Sequence, residues 1–207
     1  MEMIVVCYYT PDYYHEAARL ALSLLKAGLP SHFEIRQSQG SWIQNVHIRA
    51  TFLKSMRKLY PDKTLLSLDV DCVVHSNKIS RPYLCDIAFH TLVRNHRGEK
   101  LPGTLFLNPT SNTDKFLDEW IKQNELSPNR SDRVNFAIAI NKSDLTTLEL
   151  DPRLCWIFDI SKEAYGDKTP IIEHLQASRS FKYPKGSKDI SRIKRIKEIE
   201  NEFRRLG

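Results

Sequence analysis

Two acids separated by one residue are the place in this chain where chemistry is easiest to read. Asp69 and Asp71 follow Thr64-Leu65-Leu66-Ser67-Leu68, an apolar run with the makings of a buried strand. Aspartate is rare at the end of such a run because an unpaired buried charge is costly. A divalent cation would remove that cost. Magnesium and manganese take oxygen ligands, commonly one or two carboxylates completed by phosphates and water. The pair therefore suits a substrate that carries a diphosphate. A second polar concentration lies at Glu173-His174-Leu175-Gln176-Ala177-Ser178-Arg179. There His174 can supply a third metal ligand as a neutral imidazole, and Arg179 can hold a phosphate bidentately.

These residues need a scaffold, and the pattern around them supplies one. Ile4 to Thr10 is a short β-rich run broken by Pro11 and Asp12. Residues Tyr13 to Lys26 have helical spacing, and Gly28-Leu29-Pro30 ends them. His32 to Gln37 is a second strand, Ile48 to Leu59 a second helix, and Thr64 to Leu68 the strand that delivers Asp69. That alternation predicts a parallel sheet covered on both faces. In such sheets ligands bind beyond the carboxyl ends of the strands, which here are Tyr8-Tyr9-Thr10 and Asp69-Val70-Asp71. Further on, Asp86 to Val93 and Gly103 to Leu107 read as strands, and Asp114 to Gln123 and Asp132 to Ile140 as helices. Leu154 to Ile160 and Ile171 to Leu175 read as strand-like. The predicted class is α/β with a mixed, mainly parallel sheet.

The chain has 207 residues, enough for one domain. We expect a domain over 1–184 and a basic helical extension over 185–207. From Lys185 to Gly207 eight basic and four acidic residues leave +4 of the chain's net +6 in the tail. Ile190, Ile193, Ile196, Ile199, Phe203 and Leu206 are spaced for one amphipathic helix. Either that stripe docks on the domain with its charges in water, or the basic face engages something anionic, such as nucleic acid or a membrane surface. No apolar stretch is long enough to span a bilayer, and the start lacks a signal peptide's basic segment, so a cytoplasmic protein is expected. Cys7, Cys72, Cys85 and Cys155 form no close pair and read as buried reduced thiols.

The string Asp69-Val70-Asp71-Cys72-Val73 also resembles the nucleophile motif of haloacid-dehalogenase-type phosphatases. In that family the motif ends the first strand, whereas here two strands and two helices precede it. No later acidic pair follows either.

Order and spacing together resemble a different family, the GT-A nucleotide-diphospho-sugar glycosyltransferases, particularly small bacterial and phage-type members. The likeness covers about residues 3 to 183. It runs through Tyr8-Tyr9-Thr10, Gly40 to Asn45, Arg49 and Phe52, and Leu68 to Asp71. It continues through Asp86 to His90, Gly103 to Asn108, Glu119-Trp120, Asp132 and His174 to Arg179.

The resemblance implies a Rossmann-like GT-A fold and transfer of a sugar from a nucleoside diphosphate, UDP by preference, with manganese or magnesium. It implies that Tyr8, Tyr9 and Thr10 hold the base and ribose, and that Asp69 contacts ribose and metal. Asp71 and His174 complete the protein ligands. Arg49 then faces the pyrophosphate or the sugar, Asp86 bonds the donor sugar, and Gly103 and Thr104 line the acceptor side. Asp132 is the base in an inverting course, or else a helix N-cap. Arg133 stands where relatives tend to carry Gln, which leaves the stereochemical course open. Trp42 shapes the donor pocket or packs. With its basic tail, such an enzyme could modify hydroxymethylated bases of phage DNA. Saccharide and protein acceptors are the alternatives, and a non-catalytic nucleic-acid-binding protein is the other class.

Overall fold

The computed structural model describes residues 2–79, 82, 84–94, 96–182 and 186–205. The expected boundary between 184 and 185, and Leu206 of the apolar stripe, lie outside the described residues.

The chain begins with β1 (Met3–Tyr9), a 3-10 turn (Pro11–Tyr13), α1 (Tyr14–Lys26) and β2 (Ser31–Ile35). α2 follows at Trp42–Leu59 and β3 at Thr64–Leu68. α2 starts earlier than its apolar spacing suggests. Ser41 Oγ accepts from the Gln44 N–H at 3.2 Å and donates to Gln44 Oε1 at 3.0 Å, an N-cap that fixes the first turn. β4 (Cys72–Val74), β5 (Ile87–Arg94), β6 (Arg97–Leu107), α3 (Ser111–Leu126) and α4 (Asp132–Lys142) come next. The remainder is β7 (Thr147–Glu149), β8 (Trp156–Ile157), α5 (Ser161–Tyr165), β9 (Ile172–His174), α6 (Ser178–Lys182) and α7 (Ser187–Arg205). Of the strand expected over 154–160 only Trp156 and Ile157 are extended, as β8; Leu154 closes a 3-10 turn (Pro152–Leu154), and α5 begins just beyond, at Ser161.

The main sheet runs β2-β1-β3-β6-β5-β7. β1 pairs in parallel with β2 and β3, and β5 with β7, while β6 runs antiparallel to both β3 and β5. β3 is buried along its whole length, as a central strand covered on both faces must be. One face packs on α2, α3 and α4 through Phe52, Met56, Phe116, Trp120 and Phe136. The other packs on α1 and the small sheet through Leu20, Leu24, Val74 and Ile172.

That small sheet, β4-β9-β8, is what positions the acids. The chain leaves the main sheet at Leu68 and enters the small one at Cys72, so Asp69-Val70-Asp71 forms the crossing between them. Directly opposite Cys72 in the β4–β9 ladder stands His174. The two polar strings that are a hundred residues apart in sequence therefore share one corner of the fold. All four cysteines are buried and free, as expected.

α7 docks on the small sheet, with Ile199 buried among Val73 and Leu175, and Ile196 and Phe203 packed beside it. Ile190 and Ile193 stay exposed at 61% and 44%. Three-residue spacing turns the helix only about 300° per step, so a stripe built on it drifts around the cylinder. Ile190 thus ends up on the side opposite Ile199. No described helix is long and apolar enough to cross a membrane.

Candidate functional site

A cavity of about 360 Å³ opens at the carboxyl ends of β1 and β3. Tyr8, Tyr9 and Thr10 line one wall, Asp69, Val70 and Asp71 another, and Arg49 the floor between them. This is the place the strand alternation predicts.

The tyrosines differ in what they can do. Tyr8 packs on Phe52 with ring centroids 5.3 Å apart, and its hydroxyl donates to the Asn45 carbonyl at 3.0 Å. Burial raises its phenol well above the ordinary range. It is a fixed wall. Tyr9, Tyr13 and Trp42 complete the aromatic lining. Trp42 is 41% exposed and lines the cavity instead of packing in the core. Tyr13, Ser38, Asn45, Gln176 and Ser178 also line the cavity. The sequence reading assigned none of them a role, although Asn45, Gln176 and Ser178 lie within strings it singled out. Their signal is position, since they sit in the segments that follow β1, β2 and β9.

Arg49 is buried and makes three contacts. Its Nη2 lies 2.7 Å from Asp69 Oδ1, its Nε 3.1 Å from Asp132 Oδ2, and its Nη1 donates to the Pro102 carbonyl at 2.7 Å. Burial disfavours its charge, yet the two flanking carboxylates more than offset this and hold it protonated. A solvated helix-face role for Arg49 is therefore excluded.

Asp132 is the first residue of α4, and Ser131 is the N-cap. The N-cap alternative for Asp132 is overturned. Its carboxylate is 4% exposed and faces Arg49. Neither oxygen has a well-formed hydrogen bond among the described residues. Burial pushes its carboxyl up to about 7. The Asp69 charge adds to that, while Arg49 and the Trp120 indole work against it. Asp132 does not line the cavity. The expected role of base, which needs contact with an acceptor hydroxyl, gives way to contact with Arg49.

Asp71 ties the two sheets' loops together. Its backbone carbonyl accepts from Leu175 N–H at 3.0 Å and its Oδ2 from Ala177 N–H at 2.6 Å. Burial pushes its carboxyl up to about 7, helped by the charge of Asp69. The Ala177 N–H and Arg192 favour the ionised form. Gln176, between the two bonded residues, sits at φ +55°, a left-handed conformation uncommon for a side chain of its kind. The bonds from Asp71 hold it there and aim it into the cavity.

His174 stands behind Asp69, with Nδ1 3.9 Å from Asp69 Oδ2 and Nε2 2.8 Å from Thr104 Oγ1. A bond from Nε2–H to Thr104 leaves the Nδ1 lone pair towards the acids, an arrangement common among metal-binding imidazoles. Burial disfavours a charged ring, but Cys155 and Asp69 raise its pKa on balance.

Asp71, Cys72 and His174 bring donor atoms within 4.8 Å of one another, a set that could hold a metal ion. Cys72 Sγ is 3.4 Å from Nδ1 and 3.6 Å from Nε2. A sulfur so nearly equidistant from both nitrogens lies over the ring, off either lone pair. The donors that can share an ion with Nδ1 in this arrangement are the carboxylates. Gly103 leaves the space they need: a Cβ there would stand 2.6 Å from Asp69 Oδ2 and 2.8 Å from His174 Cε1. Gly103 and Thr104 thus lie beneath the acids and His174, and not on an acceptor wall.

Two expected donor contacts are corrected. Asp86 precedes β5, whose first residue lies opposite Leu107, itself opposite Leu65 at the start of β3. It therefore sits at the far end of the sheet's strands from Asp69. Its oxygens accept from Thr110 Oγ1 at 2.5 Å and from Thr146 N–H and Oγ1 at 2.8 and 2.9 Å. Burial raises its carboxyl, but these bonds outweigh it and hold the group below the usual range. Arg179 pairs with Asp159, lies over the Phe158 ring and does not line the cavity. Ser178 takes the place expected of it. Arg133 pairs with Glu99.

No protein-family profile matches the chain, and no curated protein does. Solved structures do. A glycosyltransferase involved in glycosylation of the major capsid of PBCV-1 superposes with a TM-score of 0.71 at 12% identity, over 96% of this chain and 100% of that one. The glycosyltransferase GlyE of Streptococcus pneumoniae TIGR4 gives 0.54 at 12% identity, over 96% of this chain and 64% of its own. The galactosyltransferase LgtC, solved with donor and acceptor sugar analogues, gives 0.50 at 12% identity, over 83% and 86%. The chain has the GT-A fold.

Proposed function

We propose that this chain is a cation-dependent glycosyltransferase that uses a nucleoside-diphosphate sugar, UDP-linked by preference. The observation that carries the reading is the cavity at the exits of β1 and β3. It joins aromatic walls to a pair of carboxylates and a buried arginine. Tyr9, Tyr13 and Trp42 offer faces on which a base can stack. Asp69, Asp71 and His174 are the residues that would hold a manganese or magnesium ion. Such an ion, when bound, stabilises the negative charge that grows on a departing diphosphate.

The chain's own groups do the rest. Arg49 places a fixed positive charge at the cavity floor, next to where a diphosphate must lie. Asp132 acts through Arg49: it holds the guanidinium in place from the side away from the cavity. Gln176 and Ser178 present polar groups to the donor from the β9 side. In the reaction the bond from the sugar's anomeric carbon to the diphosphate oxygen breaks. A bond from that carbon to the acceptor oxygen forms, and the acceptor hydroxyl's proton passes to the departing diphosphate or to water.

A DNA acceptor gains less from α7 than the charge count suggests, because Arg192 and Arg195 bond inward to Glu16 and Glu173. The phosphatase reading is set aside. It requires the acids to end the first strand of its sheet, and here they end β3 of a GT-A fold.

The test is a donor screen. The protein is incubated with manganese and each common nucleotide sugar, and release of the nucleoside diphosphate is followed. Release from one donor, lost on chelation, supports the reading. Equal release from simple phosphate monoesters, or none from any donor, overturns it.

A further inference from the structure

The tail reads in sequence as a charged helix laid on the surface, but its inward face carries ions as well as isoleucine. Arg192, 6% exposed, places Nη2 2.5 Å from Glu16 Oε1 and donates from Nη1 to Ser180 Oγ at 2.9 Å. Ser180 in turn donates to Asp189 Oδ1 at 2.5 Å. Arg195 grips Glu173 with two bonds of 2.9 Å, from Nε to Oε1 and from Nη2 to Oε2. Glu173 is 2% exposed and also bonds His75 at 2.7 Å.

Each anchor point adjoins the site. Glu16 is one turn beyond Tyr13, and Ser180 is two residues beyond Ser178; both neighbours line the cavity. Glu173 immediately precedes His174 on β9. Arg192 is buried against Glu16, and Arg195, half-buried, is bidentate on Glu173; charge-assisted contacts of this kind set a directional geometry that apolar packing does not. A helix that needed only to dock has apolar residues for that purpose and gains nothing from desolvating the Arg192 guanidinium.

We propose that Arg192 and Arg195 of α7 are positioning residues of the donor cavity. They hold the Gln176–Ser178 wall and the His174 strand where a nucleoside diphosphate and its cation meet them. α7 is then part of the donor site. The inference rests on the proposed function and deepens it.

The experiment uses the full chain and UDP with manganese, titrated by calorimetry, beside thermal unfolding of the same samples. Arg192→Gln should weaken UDP by about tenfold. Arg195→Gln should weaken it by a smaller factor. Phe203→Ala, which loosens the far end of α7, serves as the control for stability: it should lower the unfolding temperature and leave UDP affinity within about twofold. Unchanged UDP affinity in Arg192→Gln overturns the proposal while leaving the donor site standing. So does an equal loss in Phe203→Ala at an equal fall in unfolding temperature. A wild-type protein that binds no UDP overturns the donor reading together with this one.

Discussion

Two buried aspartates, Asp86 before β5 and Asp132 at the start of α4, lie towards opposite ends of the main sheet's strands and have opposite chemistry. Both are nearly excluded from water, at 5% and 4% exposure. Asp86 has its oxygens satisfied by Thr110 and Thr146, and its carboxyl is held low. Asp132 has Arg49 as its one counter-charge and no well-formed hydrogen bond among the described residues, and its carboxyl is pushed up to about 7. A protein that can saturate a buried carboxylate at one end and leaves another unsaturated beside a cavity is holding the second for something besides the fold. The difference separates structural acids from site acids without reference to any relative.

The sharpest way to break the contrast is at the crossing itself. Asp71→Ala should cut sugar transfer by roughly a thousandfold or more, since the group that would hold the cation is gone. Its unfolding temperature should stay level or rise, because a buried, charge-crowded acid has been removed. Initial rates with saturating donor, beside a melting curve, check this. Full activity in excess chelator would undo the cation role.

Asp86→Ala should do the reverse. It strands the Thr146 and Thr110 groups and should cost about 3 kcal/mol of stability, read from urea midpoints. Per folded molecule, UDP affinity should not change. The depressed carboxyl also sets a sign for pH. Its contribution is fully present above the unfolded value of about 3.9 and is lost as pH falls through the lower folded value.

Gly103→Ala tests the space beneath the acids. The added methyl would meet Asp69 Oδ2 at 2.6 Å. Manganese affinity in the absence of nucleotide should fall about tenfold, the scale of outer-shell changes at metal sites. Paramagnetic resonance of free manganese measures it. Undiminished affinity would mean that Asp69 takes no part in holding the ion.

How much of this could be read in the sequence depends on which geometry a residue needs. The position of Asp69 and Asp71 was legible because acids that end an apolar run lie at the carboxyl end of a buried strand, where such sheets bind ligands. Asp86 was not, since linear order does not say at which end of the sheet a strand begins. The antiparallel β6 decides that, and periodicity hides it. Arg179 failed for a smaller reason. One step of backbone along α6 separates a residue facing the cavity from one facing Asp159, and composition cannot resolve one step. On α7 the apolar residues drew attention to a stripe. Helical angle places Arg192 beside Ile199 and sends Ile190 to the far side.

The smallest effect bears on the contest between burial and Arg49 at Asp132. A carboxyl whose folded value is about 7 binds a proton in the native state that it lacks in the unfolded chain between about pH 4 and 7. By linkage, metal-free protein should then gain stability as pH falls across that window and lose it as pH rises through 7. Asp71 contributes the same sign over the same range. Asp132→Asn should therefore flatten the dependence without abolishing it. The slope should drop by up to about 1.4 kcal/mol per pH unit, the value for one proton. Urea midpoints at pH 5 and pH 8 for both proteins give the answer. Identical slopes would mean that Arg49 keeps Asp132 ionised throughout, so that the guanidinium outweighs burial. The two aspartates would then differ in their partners and not in their charge.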